Sequence, residues 1–287
     1  MLRLDTQRIE GSESEPEGAR VGGSDLALPV RVIDPKPWAS KQKAPNDWFK
    51  FYAGFNHEFA NRLLGAANPN ERIADPWNGS GATTTAAAAA GLTCDGFDLN
   101  PAMVIVARSR LANAAVVAAA ALKVSQLDLV RKNSDALDIG SDDPLLQWFS
   151  PKSVQALRSV EQIIGLCVSD AVPLNRNALI SVATSSPLGC LLYVALFQTV
   201  RSLAEPFRAT NPTWLQVPEP GARLRPSPDK VTEQFKANVS AMAAAAKDGP
   251  VLNPKHHVTV SWGTSTALPL DDGSVDLVIT SPPYCKG

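Results

Sequence analysis

The chain has 287 residues, 45% of them hydrophobic and 19% charged, which is enough for one large domain or two ordinary ones with a sizeable core. Its 27 basic and 28 acidic side chains leave a formal net charge of -1, so there is no global basic signature of nucleic-acid binding, although a local basic face fits inside a neutral total. The three histidines (His57, His256, His257) and four scattered cysteines (Cys94, Cys167, Cys190, Cys285) show no CxxC or ligand spacing, which argues against a metal site or a histidine triad and for reduced thiols.

Residues 1–45 are rich in Gly, Ser, Glu and Pro without a sustained period, and are expected to form a flexible arm. Their start is polar and acidic, unlike a signal peptide, and the longest apolar stretch, Gly189 to Val200, is too short for a bilayer. A soluble, cytoplasmic protein with no membrane association is expected. From Asp47 the texture changes: WFKFYAGFNHEFANRLLG gathers Trp48, Phe49, Phe51, Tyr52, Phe55 and Phe59 before a helix ending at Gly65. On its own this run reads either as an aromatic cap on a core or as a wall around a planar ligand.

In ERIADPWNGSGATTTAAAAAGLTCDGFDLNP, Arg72 to Ala74 forms a short strand and DPWNGSG a glycine-bearing turn. Ala82 to Ala90 is then a helix closed by Gly91, and Leu92 to Phe97 a second strand ending at Asp98. Asn100 or Asp98 can cap the following helix, taken as one segment over AMVIVARSRLANAAVVAAAALKV. This β-α-β-α rhythm with short connections predicts a parallel sheet carrying helices on its faces. The rhythm is lost from about 141 to 254, where helical segments near 153–168, 187–207 and 231–247 predict a mostly helical insertion. It returns with a strand from His257 to Trp262, a loop, and a strand from Val275 to Ile279.

Two loops carry chemistry. In Asp75-Pro76-Trp77-Asn78-Gly79-Ser80-Gly81 the glycines permit close approach of a bulky group to bare amides at a helix start, and no Lys-Ser/Thr follows as in a phosphate loop. Asp98, at the end of the next strand, can accept from ribose hydroxyls. At the last strand, Ser281-Pro282-Pro283-Tyr284 is a stiff loop with fixed acceptors and a stacking face, suited to an exocyclic amine on a planar heterocycle.

DPWNGSG, GFDLNP and TSPPY together resemble, in order and at strand ends, the motifs of the S-adenosylmethionine-dependent DNA amino-methyltransferases. The resemblance covers about 47–111 and 257–284. It implies a Rossmann-like methyltransferase sheet, S-adenosylmethionine as cofactor and DNA as partner. Implied for the cofactor are Phe51, Asp75, Pro76, Trp77, Gly79, Gly81, Asp98 and Asn100; implied for catalysis are Ser281, Pro282, Pro283 and Tyr284. Serine at the first catalytic position implies the N4 amine of cytosine, with an adenine N6 amine or a protein glutamine as alternatives. The parts implied are a cofactor-binding part at 46–140, an insertion at 141–254 as target recognition region, and a catalytic-loop part at 255–287. Arg201, Arg208, Arg223, Arg225 and Lys230 are candidate phosphate partners in the insertion. Thr264 stands where the family has an aspartate. The family sheet has seven strands and this sequence shows four, so the sheet is expected to be incomplete on its C-terminal side. Another expectation is therefore a non-catalytic or split subunit of a modification or defence complex, completed by a second polypeptide.

Overall fold

The computed structural model describes residues 46–49, 54–126, 139–168, 177, 180–181, 184–209, 215–219, 221–247, 252–253, 255 and 257–282. The expected arm at 1–45, and Phe51, Pro283 and Tyr284 of the expected site, lie outside them. The described residues form an α/β fold around a sheet of four strands, β1 (Arg72–Asp75), β2 (Thr93–Asp98), β3 (His257–Trp262) and β4 (Leu277–Val278), ordered β3-β2-β1-β4. Every pairing is parallel: Ile73 stands opposite Cys94 and Leu277, and Gly96 opposite Val260.

Seven α-helices accompany the sheet among the described residues: α1 (His57–Leu64), α2 (Ala82–Ala90), α3 (Pro101–Arg110), α4 (Ala114–Gln126), α5 (Pro151–Val168), α6 (Pro187–Leu203) and α7 (Pro228–Lys247). Four of them begin on a proline, whose fixed φ suits the first helical turn and whose missing N–H costs nothing there. Helix α2 is built only of Ala and Thr, and Thr83 to Ala88 are all fully buried. Such short side chains let α2 lie close to the sheet. Ile73 and Cys94 on the strands and Ile279 just after β4 pack there with Ala86 and Ala87 of α2 and with Ala60 and Leu64 of α1.

The single helix expected across 102–124 is two helices that bend by 109°. Leu111 ends α3, and the Asn113 side chain accepts from the Val116 amide to start α4. The bend gives α3 two jobs. Val104 and Ala107 pack on Val260 of β3, while Met103, Ile105 and Val106 face a larger core shared with α4, α5, α6 and α7. The expected insertion thus packs directly on the helices that follow β2. Arg108 adds polar ties, donating from Nε to the Val260 carbonyl and from Nη1 to the Thr184 carbonyl.

Residues 46–49 are strapped to this assembly. Asn46 Nδ2 donates to the Arg110 and Ala112 carbonyls, and Asp47 pairs with the buried Arg110 at 2.6 Å. Phe49 meets Phe197 edge-on, with the Arg201 guanidinium over its ring. No single helix among the described residues is long and apolar enough to cross a membrane.

Phe235 of α7 is fully buried in the helical core. Phe235→Ala is expected to cost about 3–5 kcal/mol in urea unfolding, and a loss below about 1 kcal/mol would contradict this packing.

Candidate active site

Chain order reverses at β1: the polypeptide runs outward through β2 to β3, then returns to place β4 on the other flank of β1. Open α/β sheets form a crevice at such a reversal, outside the carboxyl ends of the strands. Here those ends are the Asp75–Gly81 turn after β1 and the Ile279–Pro282 segment after β4.

One carboxylate joins the two. Asp75 is buried; its Oδ1 accepts from Thr280 Oγ1 at 2.6 Å and from the Trp77 amide at 3.2 Å, and its Oδ2 from Thr83 Oγ1 at 2.6 Å. Burial is the largest influence on its acidity and pushes its pKa up to about 6, against the opposing pull of the two threonine hydroxyls. The motif resemblance implies Asp75 for the cofactor; in the structure its oxygens accept from protein donors on the turn, on α2 and beside Ser281.

The rest of the turn is equally fixed. The Asn78 amide donates to the Phe97 carbonyl, and Asn78 Oδ1 accepts from Thr84 Oγ1. Asn78 lies so close to β2 that a Cβ on Gly96 would stand 2.7 Å from its Cγ and 2.6 Å from Thr84 Cγ2. Gly96 is therefore a structural requirement of the site that the sequence analysis did not single out. The two turn glycines differ. At Gly81, with φ +89°, a Cβ would come within 2.9 Å of the Ala107 Cβ, so this glycine seats α2 against α3. At Gly79, with φ +52°, a Cβ would meet only the Trp77 carbonyl at 4.0 Å, so this glycine faces open space.

Asp98 organises the same rim. Its Oδ2 accepts from the Gly79 amide and its Oδ1 from the Asn100 amide, both at 2.8 Å, while Asn100 caps α3 through the Ala102 amide. Each carboxylate oxygen keeps a lone pair for a further donor. Beside it stand two side chains that the sequence analysis missed, Leu99 and Trp262, with exposures of 68% and 69%. The Trp262 indole N–H donates to the Leu99 carbonyl at 3.0 Å, which holds the exposed ring at the strand ends where Trp262 stands opposite Asp98. Their positions at the ends of β2 and β3 are the signal that could have found them.

On the β4 side Ser281 is half-buried and Pro282 exposed. The strand expected from Val275 to Ile279 is only Leu277–Val278; it lies at one edge of the four-stranded sheet, with Val278 57% exposed. Thr264 bonds locally to Thr266 and contributes no charge to the rim. Behind the turn, buried His57 lies beside the Ala82 backbone, and burial, reinforced by Arg110, lowers its pKa to about 4. Among the described residues no group of three or more His, Cys, Asp or Glu is arranged to hold a metal.

The structure thus brings Asp75, Pro76, Trp77, Gly79, Gly81, Asp98 and Asn100 to one edge of the sheet together with Ser281 and Pro282. No protein-family model, curated protein or solved structure matches the chain.

Two measurements follow from this geometry. Gly81→Ala must force both a left-handed backbone and a clash with α3, so it is expected to cost more stability than Gly79→Ala, which meets the backbone strain alone, about 1–2 kcal/mol. Equal losses would contradict the assigned roles. In pH titrations of stability, Asp75, raised to about 6, contributes stability that is complete below its unfolded pKa and lost as pH rises through about 6. His57, lowered to about 4, contributes stability that is complete above its unfolded pKa and lost as pH falls through about 4. The two oppose each other between about pH 4 and about 6. His57→Gln should therefore show stability falling with rising pH in that window, and Asp75→Asn should show it rising, each by up to about 3 kcal/mol. Identical pH profiles in both variants would contradict the pair.

Proposed function

We propose that the chain is a methyltransferase that uses S-adenosylmethionine to methylate the exocyclic N4 amine of cytosine in DNA. The observation that carries this reading is the Asp75 carboxylate, which fastens the glycine turn after β1 to the segment before Ser281 at the reversal of the sheet. It supports a shared crevice in which a donor and an acceptor meet. The four parallel strands, in this reading, are the first part of a Rossmann-like methyltransferase sheet.

The residues at the rim fit the cofactor. The open side of Gly79 leaves room for a bulky group. Asp98 has lone pairs free for ribose hydroxyls, and the exposed Trp262 ring opposite it suits a flat base. Phe51 and Asn100 belong to the cofactor side by the motif resemblance. S-adenosylmethionine, when bound, supplies a sulfonium-linked methyl group to a nucleophile in line with its carbon–sulfur bond, the bonding pair staying on sulfur.

The chain's own work is to hold the amine. The Ser281 hydroxyl oxygen and the Pro282 carbonyl accept from the cytosine amino group, drawing its lone pair out of the ring. Pro282 and Pro283 keep those acceptors still, which lowers the entropy of reaching an in-line geometry. Tyr284 stacks on a base turned out of the duplex, and the proton released by the methylated amine goes to water. Arg223 and Arg225 supply phosphate contacts: both are exposed, on either side of Leu224, whose amide and carbonyl are pinned to Trp148 and Ser150. The cytoplasm is the compartment this activity implies.

One observation favours a second reading, a split or non-catalytic subunit completed by another polypeptide. Among the described residues β4 is an edge strand that pairs with β1 through two residues, has no strand on its other side and leaves Val278 exposed.

The test is calorimetric titration with S-adenosylmethionine, followed by incubation with DNA and mass analysis of the released nucleosides. Cofactor binding and N4-methylcytosine are expected. Absence of binding would contradict the enzyme, and N6-methyladenine alone would contradict the cytosine assignment. Ser281→Ala is expected to lower kcat by about 100-fold or more with little change in cofactor affinity.

A further inference from the structure

The exposed indole of Trp77 is the feature of the crevice that a cofactor role leaves unexplained. Trp77 is 39% exposed, although its backbone is firmly mounted: its amide is held by Asp75 Oδ1, and the next amide, of Asn78, by the Phe97 carbonyl. A large aromatic held rigidly at a rim, with so much of it in water, is the form taken by a stacking platform.

Its place in the sheet says for what. Ala74 of β1 stands opposite Val278 of β4, and just beyond those strand ends the Trp77 amide and the Thr280 hydroxyl share one acceptor, Asp75 Oδ1, which ties the turn at Trp77 to the residue before Ser281. The crevice is therefore divided. Gly79, Asp98, Leu99 and Trp262 line the flank of β2 and β3. The Trp77 backbone is held on the side of β1 and β4, through the Asp75 oxygen that also holds Thr280.

We infer that Trp77 is part of the acceptor site and not of the cofactor site: its indole is a stacking face for the planar, amine-bearing heterocycle whose amino group the Ser281–Pro282 segment engages. This inference rests on the reading given under Proposed function and assigns to the acceptor a residue that the motif resemblance gives to the cofactor. Because every base has a π-face, the platform sets affinity and orientation, while Ser281 and Pro282 recognise the amine.

The experiment titrates full-length wild-type chain, Trp77→Ala and Trp77→Phe separately with S-adenosylmethionine, by calorimetry, and with a short cytosine-containing single-stranded oligonucleotide, by anisotropy. Trp77→Ala is expected to weaken oligonucleotide binding roughly tenfold. Trp77→Phe, which keeps a ring, should recover most of that loss, and S-adenosylmethionine affinity should stay within about twofold in both variants. Quenching of tryptophan emission by the oligonucleotide should also be smaller in Trp77→Phe than in wild type. Unchanged oligonucleotide affinity in Trp77→Ala, or a loss of S-adenosylmethionine affinity alone, would overturn the assignment and leave the proposed function standing. Wild-type chain that binds the cofactor but no oligonucleotide would overturn the assignment together with the nucleic-acid substrate. Wild-type chain that binds neither would overturn the proposed function itself.

Discussion

A buried carboxylate with three protein donors is the constraint on which the rest of this site depends. Asp75 ends β1, and its hydrogen bonds reach forward into its own turn, across to α2 through Thr83, and back from the far end of the sequence through Thr280. Removing such a group from water is costly unless its lone pairs are satisfied, and the raised pKa of about 6 is the trace of that cost. Satisfying it requires the turn, the helix and the β4 segment to arrive together. Two segments more than 200 residues apart in sequence thus have their relative position fixed by one side chain.

The surrounding architecture serves that convergence through small residues. Helix α2 can bring Thr83 to Asp75 because its Ala and Thr side chains let it sit low on the sheet, because Gly81 admits α3, and because Gly96 leaves room for Asn78 and Thr84. These contacts also make the turn rigid, with the Asn78 and Gly79 amides both committed to β2, to Phe97 and Asp98. What remains open on this rim is the far side of Gly79 and the exposed faces of Trp77, Leu99 and Trp262. This surface is preformed, with its polar groups already oriented by protein contacts.

Much of this was legible in the sequence, for physical reasons that can be named. The apolar runs at 72 and 92–97, the glycines closing helices, and the alanine-rich helix between them encode local propensity, so the β-α-β-α unit emerged with its ends nearly right. The glycine turn and the prolines after β4 were legible because those residue types restrict or free the backbone. What escaped depended on partners distant in sequence. The break at 111–113 was hidden in a run of helix formers, where only the Asn113 cap marks it. Gly96 looked like an ordinary strand residue because the pressure on it comes from Asn78 and Thr84 on another element. Leu99 and Trp262 were not singled out, because apolarity alone does not reveal which end of a strand faces water. The motif resemblance implies Asp75 for the cofactor, and no local pattern announces the three protein donors it meets.

The direct test of this account is a double-mutant cycle between Asp75→Asn and Thr280→Val, read by denaturant unfolding at pH 8, where the Asp75 carboxylate is ionised. If Asp75 fastens the two loops, the pair will show a coupling energy of about 1–3 kcal/mol. Additive effects within about 0.5 kcal/mol would mean that the carboxylate does not tie β4 to the glycine turn, and the shared crevice would lose its basis.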